Sequence, residues 1–191
     1  MAHDGGVPMT ETPVLSDLLT LTKAALDPAE QLLETARTRV ATQVTIDGRV
    51  SAQRVEANQS AAHGLAWLAT YVEALRQMHG WAERLQADGR LTEVEELILQ
   101  IAFGEYLWQI YGGIPMSQGE IVRPQDMGLT QDDQQMLMSD AVMTLTQNGN
   151  TEAARVRLVA LIREKTADTT FGATGLDDEL EMIRDQFRRF A

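Results

Sequence analysis

Apolar residues recur at three- and four-residue intervals along most of the chain, and no Val/Ile/Tyr-rich alternating run interrupts them. That period belongs to helices rather than strands. Ser16 caps a first short helix carrying Leu18, Leu19, Ala25 and Leu26. Asp27-Pro28-Ala29-Glu30 then reads as a fresh helix start. Asp27 suits the N-cap, Pro28 the first helical position where its missing N–H is harmless, and Glu30 completes a capping-box spacing. The helix opened there presents Leu32, Leu33, Ala36, Val40 and Val44 and stops near Asp47-Gly48.

Ser51 to about Ala87 predicts the longest helix. Leu65, Leu68, Val72 and Leu75 form one stripe, and Trp67, Tyr71, Ala74, Met78, Trp81 and Leu85 an adjacent one. Glu73, Arg76, Gln77, Glu83 and Arg84 leave only a narrow wet edge, as expected of a helix packed on two neighbours. Asp88-Gly89 ends it, and Thr92-Glu93-Val94-Glu95 is a capping box opening the next. With Leu97, Ile98, Ile101, Ala102 and Trp108 on one side and Leu99, Phe103, Tyr106 and Ile110 on another, that helix belongs in the middle of a bundle. Gly112-Gly113 and Pro115 stop it.

A connection from Ile114 to Leu129 follows, with Pro115, Gly119, Pro124 and Gly128, long enough to be packed or functional. Thr130 to Asn148 predicts an amphipathic helix with Met136, Leu137, Ala141, Val142 and Leu145 inward. After the Asn148-Gly149 stop, Thr151 to about Ala167 predicts its hairpin partner, bearing Ala153, Val156, Ala160 and Leu161. The domain scheme is a disordered tail over 1–14, a helical domain over 15–167, a small-residue linker over 168–176, and a further helix over 177–191. Leu180, Ile183, Phe187 and Phe190 stripe that last helix, which reads as the start of something longer. The fold class is all-α, a multi-helix up-down bundle with one long central helix.

Composition narrows the function. Apolar residues make up 44% of the 191 positions, enough to bury a core. The formal charge of −12, from 16 Lys+Arg against 28 Asp+Glu, comes without a cation cluster clear of carboxylates. Nucleic acid and anionic membranes are therefore poor partners. Without cysteine there is no disulfide, thiolate metal site or thiol nucleophile, a composition that fits the cytoplasm. No apolar run approaches a membrane span, and the first residues lack a secretory signal's basic and apolar regions.

Candidate chemistry is sparse. His3, His63 and His79 are too scattered for a metal site, and neither His63 nor His79 follows a glutamate at the Glu-x-x-His spacing of a di-iron bundle, so they read as structural or surface residues. Glycine-rich phosphate cradles and Gly-x-Ser-x-Gly are absent. Glu105 shares a stripe with Ile98, Ile101 and Trp108; burial there would raise its pKa and suit proton transfer, but an ion pair or hydrogen bond to a neighbouring helix, or a helix edge reaching water, is the preferred reading. Gly64, Gly80 and Gly104 lie inside helices, where each costs about 1 kcal/mol against Ala and is best explained by close helix approach, less well by a ligand against the backbone. Trp67, Trp81 and Trp108 read as core in preference to a platform for adenine or flavin. No catalytic, cofactor-binding or metal residue is assigned.

Two stretches are more specific than any of these motifs: AAHGLAWLATYVEALRQM from Ala61 to Met78, and IAFGEYLWQIYGGIPMSQGEIVRP from Ile101 to Pro124. They resemble the N-terminal extension of the (2S)-methylsuccinyl-CoA dehydrogenase family, flavoproteins of the acyl-CoA dehydrogenase superfamily. The resemblance runs from about Leu15 onward, and LDDELEMIRDQFRRFA at the close is similar to the first helix of the acyl-CoA dehydrogenase fold. It implies a parent with helical N-terminal, β and helical C-terminal domains that oxidises (2S)-methylsuccinyl-CoA to mesaconyl-CoA in the ethylmalonyl-CoA pathway. A glutamate base in the C-terminal domain takes the α-proton, FAD accepts hydride from the β-carbon, and an electron-transferring flavoprotein reoxidises the flavin. The family's base and flavin-binding domain match nothing here, so Glu105 is not that base, and this segment is expected to be accessory rather than catalytic and to bind no FAD itself. Its expected partners are the rest of that polypeptide and further copies in a homo-oligomer. A stand-alone acidic helical interaction domain and a small bundle enzyme using Glu105 are the competing readings.

Overall fold

The computed structural model describes residues 13–164 and 173–190. Eight α-helices form among them: α1 Leu18–Val44, α2 Ala52–Ala57, α3 Gln59–Ala87, α4 Glu93–Gly112, α5 Gln131–Leu137, α6 Asp140–Thr144, α7 Glu152–Glu164 and α8 Asp178–Phe190. The fold is an all-α bundle. Helix α1 lies along α3, and α4 packs against both and against α7. Leu32, Ala36, Leu68, Val72, Leu75, Leu99, Phe103 and Leu107 fill the space between the three long helices. The proposed tail up to residue 12, the Ala167 boundary and the linker over 168–172 lie outside the described residues.

The two helices expected on either side of Asp27 are one. Pro28 sits inside α1, where it lacks an N–H for the preceding turn. That defect costs about 3 kcal/mol in a helix interior. The continuous buried row Ala25, Leu26, Ala29 and Leu32 offsets it by packing across the proline. The N-cap is Asp17, in the left-handed conformation at φ 52°, rather than Ser16.

Conversely, the helix expected from Ser51 to Ala87 is divided at Asn58 into α2 and α3. Asn58 is held out of helical geometry, and its Nδ2 donates to the Arg54 carbonyl at 2.8 Å. The helix expected from Thr130 to Asn148 is also broken. Ser139 caps a new turn by accepting the Val142 N–H at 3.3 Å, and α6 then widens into a π-helical turn, Leu145–Gly149. Leu137, Val142 and Leu145 point inward as expected, whereas Met136 is exposed. On α7 the buried position is Ala154, not Val156, which is exposed.

Strands appear where none was expected. Thr45–Ile46 (β1) pairs antiparallel with Arg49–Val50 (β2) around Asp47 at φ 50° and Gly48 at φ 75°. Both central residues of that turn need positive φ, which Asp-Gly supplies. Ile114–Ser117 (β3) pairs with Glu120–Val122 (β4), with a register irregularity between Pro115 and Ser117. A 3-10 turn, Pro124–Met127, completes the long connection. Ile114, Val122, Met127 and Leu129 are buried, so this connection is a packed part of the core. Gly64 permits it: a Cβ there would lie 2.8 Å from Val122 Cγ1.

Candidate functional site

Glu105 is set one residue past Gly104, on the edge of α4 that faces the π turn and α7. A Cβ on Gly104 would stand 2.6 Å from the Leu145 carbonyl oxygen, so the backbones approach as closely as glycine allows. That approach brings Asn150 and Arg155 to the Glu105 carboxylate. Gln109 Nε2 donates to Oε1 at 2.6 Å, Asn150 Nδ2 to Oε2 at 2.6 Å, and Arg155 Nη2 to Oε2 at 3.3 Å. Its side chain keeps 40% of its exposure. A carboxylate holding two amide donors and a guanidinium, and still reaching water, is a helix-to-helix tie. It lacks the desolvated setting of a proton-transfer group.

The tie continues into an aromatic pair. Tyr71 Oη donates to Gln109 Oε1 at 2.7 Å, and the Tyr71 ring stacks on Tyr106 with centroids 4.6 Å apart. Burial pushes the Tyr71 phenol up, and the neighbouring Tyr106 and Glu105 push the same way. It is a hydrogen-bond donor locked to an amide, not an acid poised near neutrality.

The histidines are placed apart. His63 is exposed, and its Nε2 accepts the Trp67 indole N–H at 2.9 Å. His79 is buried with Nδ1 2.9 Å from Thr22 Oγ1. His3 lies outside the described residues. Among the described residues no group of three or more His, Cys, Asp or Glu could hold a metal. Trp67 and Trp81 are half-buried, but Trp108 is 54% exposed and stacks on Tyr111 at 5.8 Å, so it is not core. Gly80 likewise departs from expectation: only the Arg84 Nη1 atom, 3.4 Å away, would meet a Cβ there.

An open groove of about 530 Å³ runs between α1 and α3 over Leu33, Ala62, Leu65, Ala66 and Ala69. Its rims carry the ion pairs Glu30–Arg76 at 3.0 Å and Glu34–Arg37 at 2.6 Å. A flavin pyrophosphate needs converging amides or free cations. Here both guanidiniums are committed to carboxylates, and Glu30 and Glu34 would repel a phosphate, so the groove does not fit FAD.

Three buried polar residues carry more of the architecture than any candidate above. Gln100 accepts the Leu15 N–H at 2.9 Å and donates to the carbonyls of Pro13 and Gly149 at 2.9 and 3.0 Å. Asp133 accepts the N–H and hydroxyl of Thr130, both at 2.6 Å, and pairs with Arg39 at 2.8 Å. The Thr130 hydroxyl, the Thr130 amide and the Arg39 charge hold the Asp133 carboxyl below the usual range. Glu95, 2% exposed, accepts the Thr92 N–H at 2.9 Å as the capping box requires, and also the Ala173 N–H at 2.7 Å. Thr-x-x-Asp at Thr130 and a polar residue between Leu99 and Ile101 in the apolar α4 were the available signals for Asp133 and Gln100. The second bond of Glu95 had none.

No helix among the described residues is long and apolar enough to cross a membrane. No protein-family profile matches the chain. Over 183 residues, 96% of its length, the chain is 60% identical to (2S)-methylsuccinyl-CoA dehydrogenase of Cereibacter sphaeroides, and it spans 33% of that relative.

Proposed function

We propose that this chain is the N-terminal helical part of an FAD-dependent acyl-CoA dehydrogenase that oxidises (2S)-methylsuccinyl-CoA to mesaconyl-CoA in the cytoplasm. The observation that carries the reading is the 60% identity, sustained over nearly the whole chain rather than confined to one motif. Within that enzyme the bundle is accessory. FAD and the catalytic glutamate belong to the remaining two-thirds of the polypeptide, which works as a homo-oligomer and passes electrons to an electron-transferring flavoprotein.

Helix α8 supports the division of labour. Leu180, Ile183, Phe187 and Phe190 line one face of it, with Phe187 73% and Phe190 89% exposed. A contiguous apolar face of this kind calls for a covering partner. In this reading the catalytic body covers it, and α8 is that body's first helix. The bundle then docks through the β3–β4 connection and shapes the acyl pocket entrance or the subunit interface. Removing residues 1–167 from the complete enzyme is the test. Flavin absorbance should persist while turnover, substrate preference or assembly changes. Unchanged turnover, preference and assembly would overturn the accessory role, and loss of flavin from a folded truncated enzyme would overturn the assignment of FAD to the remainder.

A further inference from the structure

Both backbone polar groups of one residue, Ala173, are gripped by the bundle at the place where α8 is tethered. Trp81, in the last turns of α3, donates its indole N–H to the Ala173 carbonyl at 2.9 Å. Glu95, in the first turn of α4, receives the Ala173 N–H on Oε1 while Oε2 serves the Thr92 cap. A capping-box glutamate needs one oxygen for its own helix. The second oxygen is spent on a segment 78 residues away. Two residues on, Gly175 at φ 67° lets the chain turn flat against the indole, where a Cβ would stand 3.0 Å from Trp81 Cδ1. Between these contacts the Thr174 hydroxyl donates to Glu181 on α8, and Glu181 pairs with Arg184 at 2.6 Å. Asp177 then caps α8 by accepting the Leu180 N–H at 2.8 Å.

We infer that Trp81 and Glu95 form a backbone clasp that fixes the direction in which α8 leaves the bundle, and so aims its apolar face. The side chain at position 173 takes no part in either bond; recognition is of the backbone on both sides of its Cα. The two gripping residues stand on different helices, so the clasp also ties the end of α3 to the start of α4. Trp81 and Glu95 are positioning residues, and the inference holds whatever covers α8.

The absence of cysteine makes the test clean, because Gln86→Cys and Gln186→Cys supply a unique spin-label pair across α3 and α8. In the full chain the interspin distance distribution should be narrow and the Ala173 amide protected from exchange. Trp81→Phe keeps the ring bulk but removes the donor. Glu95→Gln leaves one acceptor oxygen where the carboxylate has two, so the Thr92 and Ala173 amides compete for it. Each variant should speed Ala173 exchange about tenfold and broaden the distances, with the amides inside α1 unchanged. A broad distribution in the parent, an unprotected Ala173 amide, or variants indistinguishable from the parent would overturn the clasp. If Glu95→Gln fails to fold because the α4 cap is weakened, Trp81→Phe, which leaves that cap intact, decides alone.

Discussion

Adding a single methyl group should have opposite consequences at Gly104 and Gly80. In an isolated helix either Gly→Ala change is worth about 1 kcal/mol of stabilisation. At Gly104 the new Cβ would lie 2.6 Å from the Leu145 carbonyl oxygen and 3.1 Å from the Asn150 amide nitrogen. Non-bonded heavy atoms settle at about 3.5 Å or beyond, so the π turn must retreat by roughly 1 Å. It cannot do so cheaply, because the obstacles are backbone and because Gly149, at the end of the same turn, is itself tight against the Gln100 carbonyl. Overpacking costs about 1–3 kcal/mol, and a backbone obstacle places this site near the upper end. The net expectation for Gly104→Ala is a loss of about 2 kcal/mol. At Gly80 the methyl meets only the far end of Arg84, at 3.4 Å, so Gly80→Ala should gain about 0.5–1 kcal/mol. Urea denaturation of both variants beside the parent measures the two values, with equal slopes as the check that only stability changed. A Gly104→Ala protein as stable as the parent, or a Gly80→Ala protein less stable than it, would refute the reasoning.

Two further tests concern the buried polar residues. Gln100→Leu keeps comparable bulk but strips partners from the Leu15 amide and the Pro13 and Gly149 carbonyls, and should cost about 2–4 kcal/mol in the same urea experiment; a cost below about 1 kcal/mol would mean those groups find other partners. For Asp133 the folded-state pKa is lowered, so its contribution is present above the unfolded value near pH 4 and fades as pH falls through the folded one. The stability gap between the parent and Asp133→Asn should therefore be widest at neutral pH and close below about pH 4, and a gap independent of pH would contradict the assignment.

Much of this architecture is written locally in the chain, and the exceptions have physical causes. The α4 start at Thr92 and its stop at Gly113, where φ is 138°, follow from capping rules that act over a few residues. Asp177 at the head of α8 belongs to the same class. Pro28 misleads because a local breaking signal is outweighed by packing against α3, which no short window contains. The Asp47-Gly48 turn was legible in principle, since Asp-Gly with positive φ at both residues is a hairpin signal as well as a helix stop. What hid it was strands of only two residues, too short for any alternation.

At the candidate site the pattern of α4 identified Glu105 as unusual and favoured a helix-to-helix tie or a water-reaching edge, and the side chain combines the two. Its partners Asn150 and Arg155 were not readable, because the π turn that delivers them depends on two glycines meeting carbonyls across helices. Trp108 was misplaced for a simpler reason. A helix apolar nearly all round gives no angular preference, so the sequence cannot say which side reaches water.

The buried proline of α1 has a bearing on how the protein is made. During synthesis α1 leaves the ribosome whole before α3 exists, and about 40 residues separate the ends of the two helices. At 5–20 residues per second that delay is on the order of 2–8 s. For that interval nothing compensates the break at Pro28, and the row from Ala25 to Leu32 has no surface to rest on. Short isolated helical segments are marginal in water, so the nascent chain is expected to expose a bare apolar strip that a chaperone could bind. The uninterrupted 27-residue α1 of the finished protein is therefore expected to depend on packing that arrives with α3.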